Sequence, residues 1–319
     1  MSVPSKVIRM NGASALTSLL QPLCDLVAPT EFASYKAPQW QFLLGSGDIT
    51  VFALPGEVPG SLLGAVLRVG IGGPDAGYGM MVVSKEARGR GYARLLLEAA
   101  MSEVPYNEGR RVLAMCSPLG QPFYAKLGFK EVSMITGLKG SVASVEAASL
   151  TGAENSVSAT VSPLPDAAAC EAFVSLDREA SGFERAACIR SLLLSGNSVS
   201  ATAVDAETGK VVGRAALRQD APGAPLIVGP VIGQVHAVVP LLQALVAARP
   251  QSSTEGDAEV TLMVSDHPNL VSRLMVGLGF SQLFAYPGMT LDEKPVYQMS
   301  GGDGERGLDY LGLIHPTLG

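Results

Sequence analysis

The stretch Ser84–Ala100, "SKEARGRGYARLLLEAA", places two glycines and three arginines where a strand-like run, "GYGMMVV", gives way to a helix-forming one. The turn between them reads Arg88-Gly89-Arg90-Gly91-Tyr92-Ala93. The first N–H groups of a helix have no partner within it, and the helix dipole is positive at that end. Glycines let the backbone come close to a ligand, and arginines add charge-assisted contacts. A turn of this kind suits a pyrophosphate; the plain alternative is a solvated basic turn. The dinucleotide fingerprint is excluded, because Arg94 stands where its third glycine belongs. A phosphate-binding loop of the Walker type is excluded as well, since no Gly-Lys-Ser/Thr follows.

A second stretch with chemical potential lies downstream, "VLAMCSPLGQPFYAKLGF", Val112–Phe129. Its Tyr124, read by itself, is a core aromatic at the end of a helix. Cysteine and histidine offer less. Cys24, Cys116, Cys170 and Cys188 are far apart, and His236, His267 and His315 are scattered. No C-x-x-C occurs, so neither a metal site nor a disulfide framework is expected. A reducing, cytoplasmic setting is the default expectation, because "MSVPSKVIRMNG" lacks the apolar run of a secretory signal.

The elements that must position these residues follow from the apolar pattern. Strand-like runs are "KVIRM", "ITVFALP", "GSLLGAVLRVG", "GYGMMVVS", "RRVLAMCS" and "KEVSMITGL". Helical runs are "ASALTSLLQPLCDLV", "RGYARLLLEAAMSEV" and "GQPFYAKLG". In the second of these Tyr92, Leu95, Leu96 and Ala99 are expected on the buried face, with Pro105 ending the helix. The result is an α/β chain with a mixed central sheet. Small and polar residues then dominate "GSVASVEAASLTGAENSVS", which reads as a junction. The order recurs after it, through "SATVSPL", "AACEAFVSLDREAS", "RAACIRSLLLSG", "SVSATAVD", "KVVGRAALRQ", "PLIVGPVIG", "LLQALVAAR", "EVTLMVSD" and "PNLVSRLMVGLG". "YAKLGFKEVSMITGL" parallels "MVGLGFSQLFAYPGMTL", which marks an internal duplication. The boundaries expected are a first domain over 1–144, a linker over 145–158 and a second domain over 159–319.

The bulk composition narrows the function classes. The chain has 319 residues, is 47% hydrophobic and 16% charged, and carries a net charge of -6, so it can bury a core and lacks the basic balance of a nucleic-acid binder. Pro225–Ala248 has no Asp, Glu, Lys or Arg and is long enough to span a bilayer. Its three prolines and interspersed Gln and His read better as a buried strand, a break and a buried helix. No membrane partner is expected.

With both stretches in view, the chain resembles the GNAT N-acetyltransferases. Arg88, Gly91 and Ala93 match that family's Arg/Gln-x-x-Gly-x-Gly/Ala signature after the fourth strand. "VSKEARGRG" is similar to its usual Val-x-Pro-Glu-x-Arg-Gly-x-Gly, with Lys85 in place of proline. Tyr124, Gly128 and Phe129 match the second motif, Tyr-x-x-x-Gly-Phe, and Ser117 stands where the family often has Asn. The resemblance implies two acyl-CoA N-acyltransferase units, each a mixed central sheet flanked by helices. It implies acetyl-CoA as co-substrate, with its pantetheine arm along Met81, Val82 and Val83 between splayed strands. The turn Arg88, Gly89, Arg90, Gly91, Tyr92 and Ala93 would hold the pyrophosphate, and Tyr124 would act as general acid. No base is identified: Asp75, Tyr78, Cys116 and a water chain stay open.

The second half departs from this pattern. "VIGQVHAVVPLL" has no arginine at the place of the phosphate turn, and the L-G-F register puts Met275 where Tyr124 stands. The function implied is acetyl transfer from acetyl-CoA to a primary amine of a small molecule or peptide. The alternative is a non-catalytic acetyl-CoA sensor. Oligomeric state is left open.

Overall fold

The computed structural model describes residues 6–30, 35–72, 75–103, 112–162, 167–194, 197–249, 258–291 and 309–312. It divides into two compact units, Met1–Ala114 and Met115–Gly319.

In the first unit, β1 (Ile8–Asn11), β2 (Ile49–Pro55), β3 (Leu62–Gly70) and β4 (Ala76–Val83) form an antiparallel run, and β5 (Val112–Met115) joins β4 in parallel. β2 is apolar and buried nearly throughout, as a strand covered on both faces must be. Its helices are α1 (Gly12–Ser18), α2 (Leu20–Val27), α3 (Ala37–Gly45) and α4 (Tyr92–Met101). The single helix expected over "ASALTSLLQPLCDLV" is two. The Pro22 ring clashes with the carbonyl four residues back, at Ser18, which is where α1 stops. α4 buries Tyr92, Leu96, Leu97 and Ala100, whereas Leu95 is 38% exposed. This corrects the expected face by about one residue's rotation. Leu96 descends onto Gly64 of β3, where a Cβ would lie 3.1 Å from its Cδ1, so the missing side chain is what admits it. α4 ends at Met101; Pro105 lies outside the described residues.

The second unit holds α5 (Gln121–Lys126), β6 (Lys130–Ser141), α6 (Val142–Glu146), β7 (Val157–Ser162), α7 (Ala167–Ser181), α8 (Ala186–Leu193), β8 (Ser198–Asp205), β9 (Val211–Gln219), β10 (Leu226–Gly233), α9 (Val238–Ala247), β11 (Glu259–Ser265), α10 (Pro268–Ser272), β12 (Ser281–Thr290) and β13 (Asp309–Gly312). β7 to β10 form an antiparallel run, and β10 pairs with β11 in parallel. The span Pro225–Ala248 is the buried strand β10, a short 3-10 turn and the buried helix α9, as its prolines imply. Among the described residues no helix is long and apolar enough to cross a membrane.

The element order bears out the duplication. A strand, two helices, three antiparallel strands, a 3-10 turn, a helix, a strand, a short helix and a strand occur twice, with α3, α6, β13, a 3-10 turn over Gly152–Ser156 and a π turn over Arg273–Gly277 added. The compact units nonetheless divide well before residues 145–158, where the sequence places its linker. The reason is β6. It pairs with β12 over Lys130–Lys139 on one side and with β11 over Ile135–Ser141 on the other, so the last strand of the first repeat is built into the sheet of the second. A chain ending at Ser144 would leave β6 with neither neighbour.

The linker itself is packed. Val142 and Val145 belong to the core around α9, and the Gln243 amide donates to the carbonyls of Val145 and Ala148. Glu154 takes a two-pronged pair from Arg273, at 2.9 and 2.7 Å, and accepts from the Thr151 N–H. Burial alone would raise its carboxyl; Arg273 and Thr151 overcome that and hold it below the usual carboxylate range. Stability from a lowered carboxyl is fully present above its unfolded value, about 4.3, and is lost as pH falls through the folded value. Glu154→Gln is therefore expected to cost about 2 kcal/mol at pH 7 by thermal or urea unfolding, with the gap to wild type closing below about pH 4. An equal gap at pH 7 and pH 3 would mean that packing, not charge, is lost.

Candidate functional site

β4 and β5 pair only over Ala76–Tyr78 and Val112–Ala114. β4 runs on to Val83, its described ladder there being with β3 alone. A register shift falls in that ladder between Ala65 and Leu67, opposite Met80 and Met81, and Met80 takes the left-handed φ of 49°. A bulge of this kind bends a strand and increases its twist. It sits just past the last β4–β5 pair, where the parting of the strands requires it. Beyond it Val82 is buried, and Met81 and Val83 are half-buried on the other face. These are the three positions expected beside the pantetheine arm.

The turn after β4 is shaped by its own backbone. Lys85–Ala87 form one 3-10 turn, and the Arg88 Nε donates to the Val83 carbonyl at 3.2 Å, folding the side chain back over the end of β4. Gly89 and Gly91 have φ of 75° and 80°, values an L side chain rarely adopts. Gly91 caps α4 with no side-chain hydrogen bond. A Cβ at Gly89 or Gly91 would have no described atom within 4 Å. These glycines are present for their conformation, and the space over them is open. A bare helix N-terminus under open space fits a pyrophosphate. Arg88, Gly89, Arg90 and Gly91 are exposed, Ala93 is half-buried, and Tyr92 is buried, so its ring anchors the helix to the first unit's core.

In the second unit, the Ser117 carbonyl accepts from the N–H groups of Gly120 and Gln121 and so starts α5. The Tyr-x-x-x-Gly-Phe motif ends it. Gly128 is left-handed at φ 90°, its N–H reaches the Ala125 carbonyl, and the Phe129 N–H reaches the Tyr124 carbonyl at 3.2 Å. This is a Schellman cap, whose usual apolar contact is here Phe129 against Tyr124, edge to face at 5.2 Å. Phe123 packs on the same ring at 5.1 Å. Tyr124 is buried. Burial first, and Cys116 beside it second, hold the phenol well above the usual tyrosine range, so the proton stays on.

Burial, with Glu131 adding to it, pushes the Cys116 thiol to about 12, and a thiol protonated at neutral pH is no base. Asp75 is buried in the β3–β4 turn, where its carbonyl accepts from Ile71, and Tyr78 is buried in the paired part of β4.

The second repeat corrects one expectation. Arg273–Gly277 form a π turn, which inserts one residue before Gly279. The Phe280 N–H consequently reaches the carbonyl of Leu274, not Met275. Leu274 is fully buried while Met275 is 36% exposed, so Leu274 holds the place of Tyr124. Counting back from L-G-F misses this, because a π insertion leaves no mark in the motif. Asp266, which no sequence motif marks, has a left-handed φ of 50° and takes the Met134 N–H at 2.6 Å. Its own N–H returns to the Met134 carbonyl, so it fastens the end of β11 to β6.

The family model of the acetyltransferase (GNAT) domain matches residues 51–131. No curated protein matches the chain. Three solved structures are similar over most of its length. A Pyrococcus horikoshii protein described as a candidate acetyltransferase has a TM-score of 0.67 at 13% identity, covering 100% of this chain and 98% of its own. The tandem GNAT protein of the clavulanic acid biosynthesis pathway has a TM-score of 0.64 at 16% identity, covering 91% and 99%. A GCN5-related N-acetyltransferase from Sphaerobacter thermophilus has a TM-score of 0.60 at 16% identity, covering 92% and 98%. The chain is thus a two-unit protein of the GNAT fold, and the family's acetyltransferase domain model matches it over residues 51–131.

Proposed function

We propose that the chain is an acetyl-CoA-dependent N-acetyltransferase acting on a primary amine of a small molecule or peptide. The observation that carries this is the paired device of the first unit: strands that part after Tyr78, and a left-handed Gly91 that bares the N-terminus of α4. The matched family domain and the acetyltransferase descriptions of similar structures support it.

Acetyl-CoA supplies the activated acetyl group. The N–H groups of α4's first turn and the backbone of Gly89–Gly91 hold its pyrophosphate. The β4 backbone at Met81–Val83 offers a fixed N–H to the carbonyl oxygen, the arrangement that stabilises developing negative charge. Tyr124, protonated throughout the working range, gives its proton to the departing sulfur. β4 carries no carboxylate, so the amine's proton leaves through water.

That missing carboxylate is also the one feature favouring an acetyl-CoA sensor. The two readings separate in a thiol-release assay with acetyl-CoA and a panel of amines. Amine-dependent release of free CoA is expected. Tight acetyl-CoA binding with no release on any amine would leave the sensor.

A further inference from the structure

Each unit contains a parallel strand pair that parts. In the first, β4 continues past its three pairs with β5. In the second, β10 and β11 pair over Leu226–Val228 and Val260–Leu262, and β10 continues to Gly233. Its ladder with β9 shifts between Val228 and Val231, as the β3–β4 ladder does at the matching place. The two openings are then treated differently. β13 enters the second, antiparallel to β10, pairing Asp309 with Gly233, Tyr310 with Ile232 and Gly312 with Val231. Gly312 also pairs with Val264 of β11.

We propose that the β10–β11 opening is a strand-binding slot for an extended peptide, and that the chain fills it with its own segment Asp309–Gly312. Both sides of the slot are main chain, which binds an added strand through ladder hydrogen bonds. β10 carries no ionisable side chain, "LIVGPVIG", and the segment 308–314, "LDYLGLI", is mostly apolar. The neighbouring turn does not suit a phosphate. Val235–Ala237 form a 3-10 turn, Ala237 caps α9 in the right-handed region, and Pro240 removes a first-turn N–H. A peptide strand needs none of these groups. A tethered segment also acts at an effective concentration of about millimolar, which excludes competitors. The proposal does not rest on acetyl transfer: a chain that transfers nothing would seat the strand equally.

Hydrogen exchange on the full chain tests the seat directly. Amides of 309–312 are expected to exchange at least about a hundredfold slower than free peptide. The second test uses a full-length Tyr310→Pro/Leu311→Pro variant. Neighbouring N–H groups point to opposite sides of a strand, so this pair removes a ladder donor on either side. A labelled peptide of residues 306–315 should bind this variant, yet fail to bind wild type. The same peptide carrying both prolines should bind neither. Unprotected amides in wild type would overturn the proposal, and that result is readable even if the variant misfolds. So would peptide binding to wild type and variant alike, or to neither. A second equivalent of acetyl-CoA on the variant would make the slot a masked cofactor site and overturn the peptide assignment.

Discussion

Gly91→Val is expected to abolish measurable acetyl-CoA binding, lowering affinity by more than about a hundredfold in calorimetric titration, while wild type is expected to bind one equivalent per chain. Gly91 sits at φ 80° at the N-cap of α4, with open space where a Cβ would be. Valine has room there but resists the backbone angle, and a β-branched residue resists it most. Left-handed strain of about 1–3 kcal/mol is relieved when the turn re-forms with negative φ, which swings the N–H groups of α4 away from the ligand. The fold should persist, because the anchors Tyr92 and Leu96 are untouched, and circular dichroism checks that. Gly91→Ala, with less resistance, should lose affinity by an intermediate factor. Unchanged affinity in the valine variant would move the pyrophosphate site elsewhere. Two equivalents on wild type would show that the second unit also binds acetyl-CoA, against the right-handed cap and proline of α9.

How far this architecture could be read in advance depended on whether a signal was local. The turn at Gly89–Gly91 and the cap at Gly128 are local: glycine marks the left-handed positions, and the residues they serve lie within a few places. The buried strand, break and helix of Pro225–Ala248 announce themselves by prolines in an uncharged run. Helix α3 is not among the helical runs read from the sequence, although Pro38 stands near its start and Trp40, Leu43 and Leu44 are buried. Three further features were not legible. The insertion of β6 between β11 and β12 is a choice between equivalent partners, since either repeat's fifth strand offers the same edge. The π turn at Arg273–Gly277 shifts a register without altering a motif. The burial of Glu154 depends on Arg273, a residue too distant in sequence for composition to connect. A polar stretch therefore looked like a tether although it is packed.

Tyr124→Phe is expected to lower turnover on an accepted amine by roughly a hundredfold, the usual worth of a general acid, and to leave acetyl-CoA affinity nearly unchanged. The ring is held edge to face by Phe123 and Phe129, and the Schellman cap is made by backbone alone, so phenylalanine preserves both. Only the proton is lost. A raised phenol gives the claim a second edge. The acid form persists past the ordinary tyrosine value of about 10, so wild-type turnover should show no alkaline fall below that pH from this group. Burial is the first cause of the rise, and the proximity of Cys116 the second. Cys116→Ser should therefore leave the alkaline side flat. A phenol raised in this way is a weaker acid than a free one, so its proton reaches the departing sulfur only through direct contact between the two. The defect in Tyr124→Phe should consequently be largest for acetyl-CoA and smaller for an acetyl donor whose leaving group needs no proton, such as an activated aryl thioester. An equal defect on both donors would make Tyr124 a packing residue, as would an unchanged rate on acetyl-CoA.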